Sequence, residues 1–393
     1  MAAETTVDIV EEKTGKKYKM SKPKLEILLQ DPELEEIMIN GPGEPVFVYH
    51  IKHGMCETNL KMDENTILQF VGNIAAQSND YINESKPFLN ARMPDGSRLN
   101  ATISPATPQG PTVTIRKFKE NPLSIVDLMD YGTLDSEVAA FLWMSVEGMR
   151  NYPLNVLVLG GAGSGKTTLL NVMAGFIPED ERVITIEDTL ELNFYGRKNV
   201  VRMESTHGSD VRKAVTMNDL LINALRMRPD RLIVGEVRGE EAETLFNAMN
   251  IGHSAMGTLH ANSPVEAVSR LTNPPLSVAP NMLPLIDLII LIQKIRTSNG
   301  LKRRIISIAE IEKSEVGVSF SEIFSYDPKT DTLHRTDVPS TKEEKLAKLS
   351  GISLGALRKK GYEKKMIIDS WKEKGTRNFH DIIEEIRDYY DSM

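Results

Sequence analysis

A glycine-rich segment that ends in lysine and threonine is the part of this sequence best suited to chemistry. It reads G-x-x-x-x-G-K-T, it follows an apolar run at residues 155–159, and a helix is predicted to begin at Thr168. Glycines at this spacing let the backbone fold into a nest whose N–H groups point at phosphate oxygens, and the following helix N-terminus adds further donors. The segment predicts a phosphate-binding loop formed by Gly160, Gly161, Ala162, Gly163, Ser164, Gly165, Lys166, Thr167 and Thr168.

Two side chains of this loop predict a nucleoside triphosphate bound together with magnesium. Lys166 can reach the β- and γ-phosphates, and the Thr167 hydroxyl can serve as a ligand of Mg²⁺. No N-K-x-D segment that would read guanine follows the loop, which argues against a GTPase. We therefore expect ATP and Mg²⁺ at this site.

Acidic residues follow two other apolar runs. The run at 183–187 ends in Glu187, with Asp188 and Glu191 close behind, and the run at 231–234 is followed by Glu236. Hydrolysis needs an acid that holds the metal and a group that orients the attacking water. Ligands of an open α/β sheet bind outside the carboxyl ends of its strands, where these acids fall. Glu187 and Glu236 are therefore candidate catalytic residues.

Histidines and arginines supply further candidates. His253 and His260 flank a predicted strand, and a neutral imidazole can hydrogen-bond a phosphate oxygen or a water, although a structural histidine is an equal alternative. No third ligand lies nearby, so a metal site at these histidines is not expected. The sequence also places arginines, which suit phosphoryl clamping, on or beside short strands. From spacing alone the reading as surface residues is favoured over the phosphate-binding one for all three: Arg92, Arg98 and Arg116.

The elements that must position these residues alternate between strand and helix. Strands are predicted at 156–159, 183–187, 200–203, 231–234, 255–259 and 288–293, with helices at 134–149, 217–227 and 239–251 among them. This alternation is typical of a parallel sheet covered by helices on both faces. The fold class predicted for the chain is α/β.

The remaining sequence predicts four flanking regions. Residues 1–24 are rich in lysine and are read as a solvated arm, and 25–120 form a small mixed α/β domain of short strands and a helix at 66–78. Residues 121–133 are read as a connector that acts as a hinge. The nucleotide-binding domain covers 134–340, a turn-rich segment at 325–340 ends it, and 341–393 form a charged helical tail.

Composition limits the protein class. The chain has 393 residues, a formal net charge of −8 and a single cysteine, Cys56, so it cannot form a disulfide within itself. An acidic chain argues against a generic nucleic-acid binder. No apolar run approaches the roughly 20 residues that span a membrane, and the N-terminus has no signal-peptide pattern. These features predict a cytoplasmic protein.

Four motifs in order resemble those of the secretion-type traffic ATPases, which drive type II and type IV secretion, type IV pili and the archaellum. They are a phosphate loop, an aspartate box, an acidic strand end and a histidine box, here at 160–167, 185–191, 232–238 and 252–260. Segments 82–88, 94–98 and 114–118 are typical of the tight-adherence and archaeal pilus branch. The chain lacks the tetracysteine insert of bacterial pilus motors, and Thr189 stands where their aspartate box has proline.

The resemblance implies a RecA-like ATPase domain in a homohexameric ring, with ATP held between the two domains. It implies that Glu187 positions the water, that Glu236 lies on the magnesium side and that His260 senses the γ-phosphate. It also implies that Arg92, Arg98 and Arg116 reach the phosphates. The family has an arginine at the position of Arg270, to which we assign no role.

The expected function is that of an ATPase motor for pilus-like filament assembly or protein secretion. The expected partners are copies of itself and a platform protein of the cytoplasmic membrane, with which the protein associates peripherally. No specific nucleic acid is expected. Alternatives are a conjugation-type secretion ATPase, a RecA-like nucleic-acid motor and a nucleotide-binding regulator without a motor role.

Overall fold

The chain divides into two compact units, Met1–Glu120 and Asn121–Met393. The structure is a computed structural model that describes residues 6–12, 15–118, 121–206, 213–297, 300–315 and 317–392. Each unit is built on one sheet with helices packed against it. The predicted α/β class, with two sheets and helices at the C-terminal end, is confirmed.

An eight-stranded sheet forms the first unit. Its strands are β1 (Val7–Glu12), β2 (Gly15–Met20), β3 (Leu34–Ile39), β4 (Pro45–His50), β5 (Gly54–Lys61), β6 (Phe88–Arg92), β7 (Arg98–Thr102) and β8 (Thr112–Arg116). They lie in the order β1-β2-β5-β4-β3-β8-β7-β6, and all neighbours are antiparallel except β2 and β5. In β4 the buried Val46 and Val48 alternate with half-buried neighbours, which is the period expected of a strand with one face in the core.

Two helices cover this sheet, α1 (Leu25–Gln30) and α2 (Glu64–Gln77). Helix α2 begins where Asp63 accepts a hydrogen bond from the Thr66 N–H at 2.9 Å. Its buried face carries Ile67, Val71 and Ile74, as the spacing of apolar residues predicts.

The prediction of a solvated arm over residues 1–24 is wrong where the structure describes that segment. Strand β2 pairs with β5, and Tyr18 and Met20 are buried in the core of the first unit. In this lysine-rich segment, buried and solvent-facing residues alternate, as they do in a strand with one face in the core. On the solvent-facing side, Lys17 pairs with Glu57 at 2.6 Å. Residues 1–5 and 13–14 of the predicted arm lie outside the described residues.

The second unit contains a nine-stranded sheet. Its strands are β9 (Val156–Leu159), β10 (Val183–Glu187), β11 (Val200–Glu204), β12 (Arg231–Val234), β13 (Ser254–Leu259), β14 (Leu288–Thr297), β15 (Gly300–Ser314), β16 (Gly317–Asp327) and β17 (Thr332–Arg335). They lie in the order β11-β10-β12-β13-β9-β14-β15-β16-β17. The first six in this order are parallel, and all six match strands predicted from the sequence.

Three antiparallel strands that extend this sheet, β15, β16 and β17, are missing from the prediction. Part of β16 and all of β17 fall in the segment read as turn-rich. The charged residues of β15 are not typical of a strand in a sheet. They are tolerated there because Asp331, more than 20 residues along the chain, neutralises part of their charge. Arg304 pairs through Nε with Asp331 at 2.8 Å, across the loop between β16 and β17.

Helices cover both faces of the second sheet. They are α3 (Ile125–Asp130), α4 (Ser136–Glu147), α5 (Lys166–Ala174), α6 (Met217–Ala224), α7 (Glu241–Asn250), α8 (Pro264–Thr272), α9 (Thr341–Leu349), α10 (Leu354–Lys374) and α11 (Phe379–Asp391). Strand β9 is buried along its whole length because helices pack on both sides of it. None of the helices in the described part of the chain is both long and apolar enough to cross a membrane.

The connector predicted over 121–133 is instead part of the second unit. Helix α3 lies there, and it begins at a capping box in which Ser124 and Asp127 bond each other's backbone N–H groups. Ile125, Val126 and Leu128 are buried in the same core as the phosphate-loop helix α5. The part of the predicted connector that forms α3 is therefore fixed in the core of the second unit.

Candidate functional site

The phosphate loop joins β9 to α5, as the motif predicts. Helix α5 begins at Lys166, and no side chain caps its first N–H groups. Uncapped N–H groups at a helix N-terminus need a partner, and an anion is the partner that their dipole favours. The loop therefore presents a ready anion site at the carboxyl end of β9.

Glycine is required at two positions of this loop. Gly165 has φ +102°, a left-handed conformation that side chains with a Cβ rarely adopt. A Cβ on Gly160 would lie 2.4 Å from Ser164 Oγ and 2.2 Å from the Ile292 carbonyl oxygen. The loop thus fits only the glycine pattern that the sequence carries.

Lys166 and His260 meet at the loop. The Lys166 Nζ donates to the Gly161 carbonyl at 3.0 Å and lies 3.4–3.5 Å from both ring nitrogens of His260. His260 directly follows β13, the strand beside β9, so the carboxyl ends of two neighbouring strands bring these side chains together. The structure thereby places two of the predicted site residues in contact.

Glu236 joins the same cluster from the end of β12. Its Oε1 lies 2.8 Å from His260 Nε2, and its Oε2 accepts a hydrogen bond from Arg238 at 2.5 Å. Oε1 is buried, but it is not aligned with the imidazole for a hydrogen bond and has no directed donor among the described residues. A buried carboxylate oxygen without a donor is suited to a cation or a water that arrives with the substrate.

Burial and charge shift the protonation of Lys166 and His260 in the same direction. Burial lowers the pKa of Lys166, against the opposing charge of Glu236. Burial and the Lys166 ammonium lower the pKa of His260 below 6.5, and Glu236 opposes that shift. His260 is therefore neutral at pH 7 and can both donate and accept a hydrogen bond.

Replacing Lys166 with methionine is expected to raise the pKa of His260, because the change removes the nearest positive charge. Titration of the His260 ring signals by NMR in histidine-labelled protein measures the shift. Lys294→Met is the control, since Lys294 borders the loop at Gly163 and does not contact His260. An unchanged His260 titration in Lys166→Met would show that the two groups are not coupled.

The Glu187 carboxylate is buried, and both of its oxygens accept hydrogen bonds from neighbouring residues. Its side chain is 1% exposed. Oε1 accepts from the Thr185 hydroxyl at 2.9 Å, and Oε2 accepts from the Glu191 and Leu192 N–H groups at 2.7 and 2.9 Å. This carboxyl anchors the loop that follows β10, which differs from the water-positioning role that the resemblance implied.

Two other acids of the same loop lie near the cluster. Asp188 Oδ2 is 3.7 Å from Arg238 Nη1, and the charge of Glu191 also acts on that guanidinium. Arg238 thus links the acids after β10 to Glu236 after β12. Arg238 is not among the residues predicted for the site, although its place two residues after Glu236 in the acidic motif was a usable signal.

The two histidines of the histidine box, His253 and His260, lie far apart in the structure. His253 precedes β13 and His260 follows it, so they lie at opposite ends of that strand. Only His260 reaches the phosphate loop. The Arg270 guanidinium donates to the His260 carbonyl and pairs with Glu266 at 3.3 Å, so Arg270 holds the backbone at His260.

The three candidate arginines form one row across the sheet of the first unit. Arg98 of β7 lies directly opposite both Arg92 of β6 and Arg116 of β8, and Glu36 lies opposite Arg116 on its other side. Guanidinium groups are suited to binding phosphate, and these three stand side by side in the sheet.

The donor set at the phosphate loop fits magnesium. Mg²⁺ binds through oxygen ligands and usually takes only one or two from the protein, with the rest from water and phosphates. The buried, donor-free Oε1 of Glu236 and the hydroxyl of Thr167 at the start of α5 are oxygen ligands of that kind. Ser164 Oγ is likewise buried and has no partner in the described part of the chain, so it is a further oxygen at this loop.

Comparison with known proteins gives the same family as the motifs. A model of the Type II/IV secretion system protein family matches residues 20–321. An uncharacterized protein of Methanocaldococcus jannaschii is 51% identical over 244 residues, which cover 61% of this chain and 33% of that protein. A second uncharacterized protein of that organism is 34% identical over 337 residues, which cover 83% of this chain and 60% of its own length.

The fold also resembles that of a solved structure. The Legionella pneumophila ATPase DotB matches with a TM-score of 0.53 and 18% identity, over 94% of this chain and 98% of that chain. At this identity the likeness concerns the fold. The chain spans one third and three fifths of the lengths of the two curated relatives. The family match over most of its residues nevertheless shows that the protein belongs to the type II/IV secretion system protein family.

Proposed function

We propose that this chain is an ATP-hydrolysing motor subunit that powers assembly of a pilus-like filament or secretion of protein. The observation that carries the proposal is the meeting of Lys166, Glu236 and His260 at an uncapped phosphate loop. A loop alone would only bind phosphate. A lysine, an acid and a neutral imidazole from three neighbouring strand ends add the groups that cleavage of a phosphoanhydride requires.

Binding relies on the loop and its lysine. The N–H groups of residues 161–167 cradle the phosphates, and the Lys166 ammonium moves from the Gly161 carbonyl to the β- and γ-phosphates. The exchange replaces a neutral acceptor by a charged one, so the hydrogen bond becomes stronger. The burial of Lys166 adds to this, because charges interact more strongly where water is excluded.

Magnesium would be held by the Thr167 hydroxyl and the Glu236 carboxylate. When bound, Mg²⁺ neutralises charge on the phosphates and so lowers the cost of forming the transition state. Arg238 holds the other oxygen of Glu236 at 2.5 Å, which fixes the orientation of the carboxylate.

The attacking water is assigned to an acid of the loop after β10. Glu187 already accepts three hydrogen bonds from its own neighbourhood. Glu191 is half-exposed and its charge reaches Arg238, so we assign the water to Glu191 and the anchoring of its backbone to Glu187. The neutral His260 would hydrogen-bond the γ-phosphate and report its loss to β13.

The wider assembly follows from the family. Members of the family form hexameric ATPase rings, and we propose a homohexamer here. We further propose a place in the tight-adherence and archaeal pilus branch, which the archaeal relatives support. The ring would lie on the cytoplasmic side of the membrane and act on an integral platform protein, without a specific nucleic acid.

The purified chain tests this function directly. It should release phosphate from ATP in the presence of Mg²⁺, sediment as a hexamer when nucleotide is present, and hydrolyse faster with a co-purified membrane protein. Stimulation by DNA in place of that protein would favour a nucleic-acid motor. Nucleotide binding with negligible turnover would favour a regulator.

The arginine row yields a prediction of its own. We propose that Arg92, Arg98 and Arg116 contribute to phosphate binding, as the resemblance implies. Arg98→Ala should then lower kcat/KM for ATP by roughly tenfold, the value of one charge-assisted hydrogen bond. The melting temperature should change little, because the half-buried Arg98 side chain lies outside the hydrophobic core of the first unit. Initial rates of phosphate release at several ATP concentrations measure the effect.

Lys61→Ala is the matched control for this prediction, since it removes an exposed cation at the end of β5 in the same sheet. Turnover should stay at the wild-type rate. If Arg98→Ala and Arg116→Ala both keep wild-type kcat/KM, the row is a surface feature without a role in hydrolysis.

A further inference from the structure

The C-terminal helix α11 packs on the loop that follows β10 and on the end of α5. This helix lies beyond residues 20–321, the part of the chain that the family model matches. Gly175 ends α5 and has no side chain, and a Cβ there would lie 2.6 Å from Ile383 Cδ1. Its absence lets α11 approach the phosphate-loop helix closely.

Buried hydrogen bonds and a buried ion pair attach the C-terminal helices α10 and α11 to the core of the second unit. The Trp143 indole donates to the Tyr390 hydroxyl at 2.8 Å, and that hydroxyl donates to the Phe176 carbonyl at 2.8 Å. Lys364 of α10 pairs with Glu147 of α4 at 2.6 Å, with both side chains 1% exposed. Breaking a buried pair of this kind by removing one partner is strongly destabilising, so the tail forms one body with the core.

From this position α11 contacts the loop after β10 through two side chains. The His380 ring stacks on the Tyr195 ring with centroids 3.7 Å apart and planes 12° from parallel. The Arg387 guanidinium donates to the Tyr195 carbonyl and, through Nε, to Glu179 at 3.2 Å. A Cβ on Gly196 would lie 2.7 Å from Arg387 Nη1, so glycine at this position leaves room for the guanidinium.

The other end of the same loop carries Glu191. Glu187 binds the N–H groups of Glu191 and Leu192, and Asn171 of α5 accepts from the Asn193 N–H at 2.7 Å. The loop is thus fixed to β10, to the phosphate-loop helix and to α11 within a few residues. Tyr195 lies only four positions from Glu191 in this loop, so we expect a change in how Tyr195 is held to alter the position of Glu191.

We propose that α11 positions Glu191 for ATP hydrolysis by holding the loop at Tyr195, with Arg387 and His380 as the positioning residues. This inference rests on the proposed function. It assigns the tail a part in the chemical step although neither residue belongs to the phosphate loop or to the cluster at His260.

Steady-state kinetics of the full chain test the proposal. Arg387→Ala should lower kcat roughly tenfold, since misplacement of a reacting group by about an ångström costs up to 100-fold. The KM for ATP should change less than twofold, because the phosphate loop is untouched. Arg387→Lys should recover part of kcat, and His380→Ala serves as a second variant if Arg387→Ala does not fold.

Two further measurements separate positioning from a general loss of structure. In a Glu191→Gln background, Arg387→Ala should have no additional effect on kcat, because both changes act on one group. Amide hydrogen exchange at 191–196 should increase in Arg387→Ala and stay unchanged in Arg377→Ala. That control removes the tail arginine that pairs with Asp130 at 2.8 Å.

Each outcome decides the proposal. Wild-type kcat in Arg387→Ala, unchanged exchange at 191–196, or an equal loss in the Glu191→Gln background would overturn it. A wild-type protein that binds but does not hydrolyse ATP would instead refute the proposed function. In that case, increased exchange at 191–196 would still establish the contact between α11 and the loop.

Discussion

Lys166→Ala is expected to abolish ATP turnover, with a loss of at least about 100-fold in kcat, the range seen when a phosphate-clamping charge is removed. The lysine is 6% exposed and donates a hydrogen bond to the Gly161 carbonyl. Its ammonium contacts the loop at Gly161 and lies 3.4 Å from His260 Nε2. Phosphate release measured at saturating ATP gives the loss in kcat, and a nucleotide titration gives the accompanying loss of affinity.

Lys348→Ala is the control for this experiment, because it removes an exposed lysine of α9 that lies outside the site. It should hydrolyse ATP at the wild-type rate. Turnover retained in Lys166→Ala would mean that the phosphate loop is not the active site, and the proposed function would then have no basis in this structure.

The second large effect is expected from Glu191→Gln. If Glu191 orients the attacking water, its neutral analogue should lose roughly 100-fold in kcat, the lower range for removal of a general base. ATP binding and the melting temperature should be retained, since the half-exposed side chain contributes little to packing. Single-turnover hydrolysis and thermal unfolding of the same preparation measure both quantities.

Glu187→Gln should behave differently. The glutamine can turn its carbonyl oxygen to the Glu191 and Leu192 N–H groups and its NH₂ to the Thr185 hydroxyl, but charge-assisted hydrogen bonds then become neutral ones, at a cost of roughly 1–2 kcal/mol. We expect a melting temperature lower by several degrees and a partial loss of turnover. The opposite result would be an unchanged melting temperature with a larger loss of kcat than in Glu191→Gln. It would mean that Glu187, and not Glu191, orients the attacking water.

Much of the fold can be predicted from the sequence because its signals are local. Strands such as β9 and β12 are short apolar runs bounded by glycine or charge, and the six parallel strands match the prediction. Elements whose residues are neutralised at long range escape such a prediction. Strand β2 is lysine-rich yet places Tyr18 in a core, and β15 carries an arginine whose partner is Asp331.

The candidate site divides in the same way. The residue types and spacing determine the phosphate loop, because backbone N–H groups and a lysine at a fixed offset form it without distant help. They also determine which acids and histidines follow strands, and hence which edge of the sheet carries the chemistry.

What only the tertiary structure decides is which member of each motif faces that edge. Glu187 and Glu191 both belong to the aspartate box. Glu187 is buried, and it accepts hydrogen bonds from Thr185 and from the N–H groups of the loop. His253 and His260 share another box, but a strand of fixed length places them at opposite ends. His380 and Arg387 of α11 contact Tyr195 although they lie far from it in the chain, and no local sequence pattern predicts such a contact.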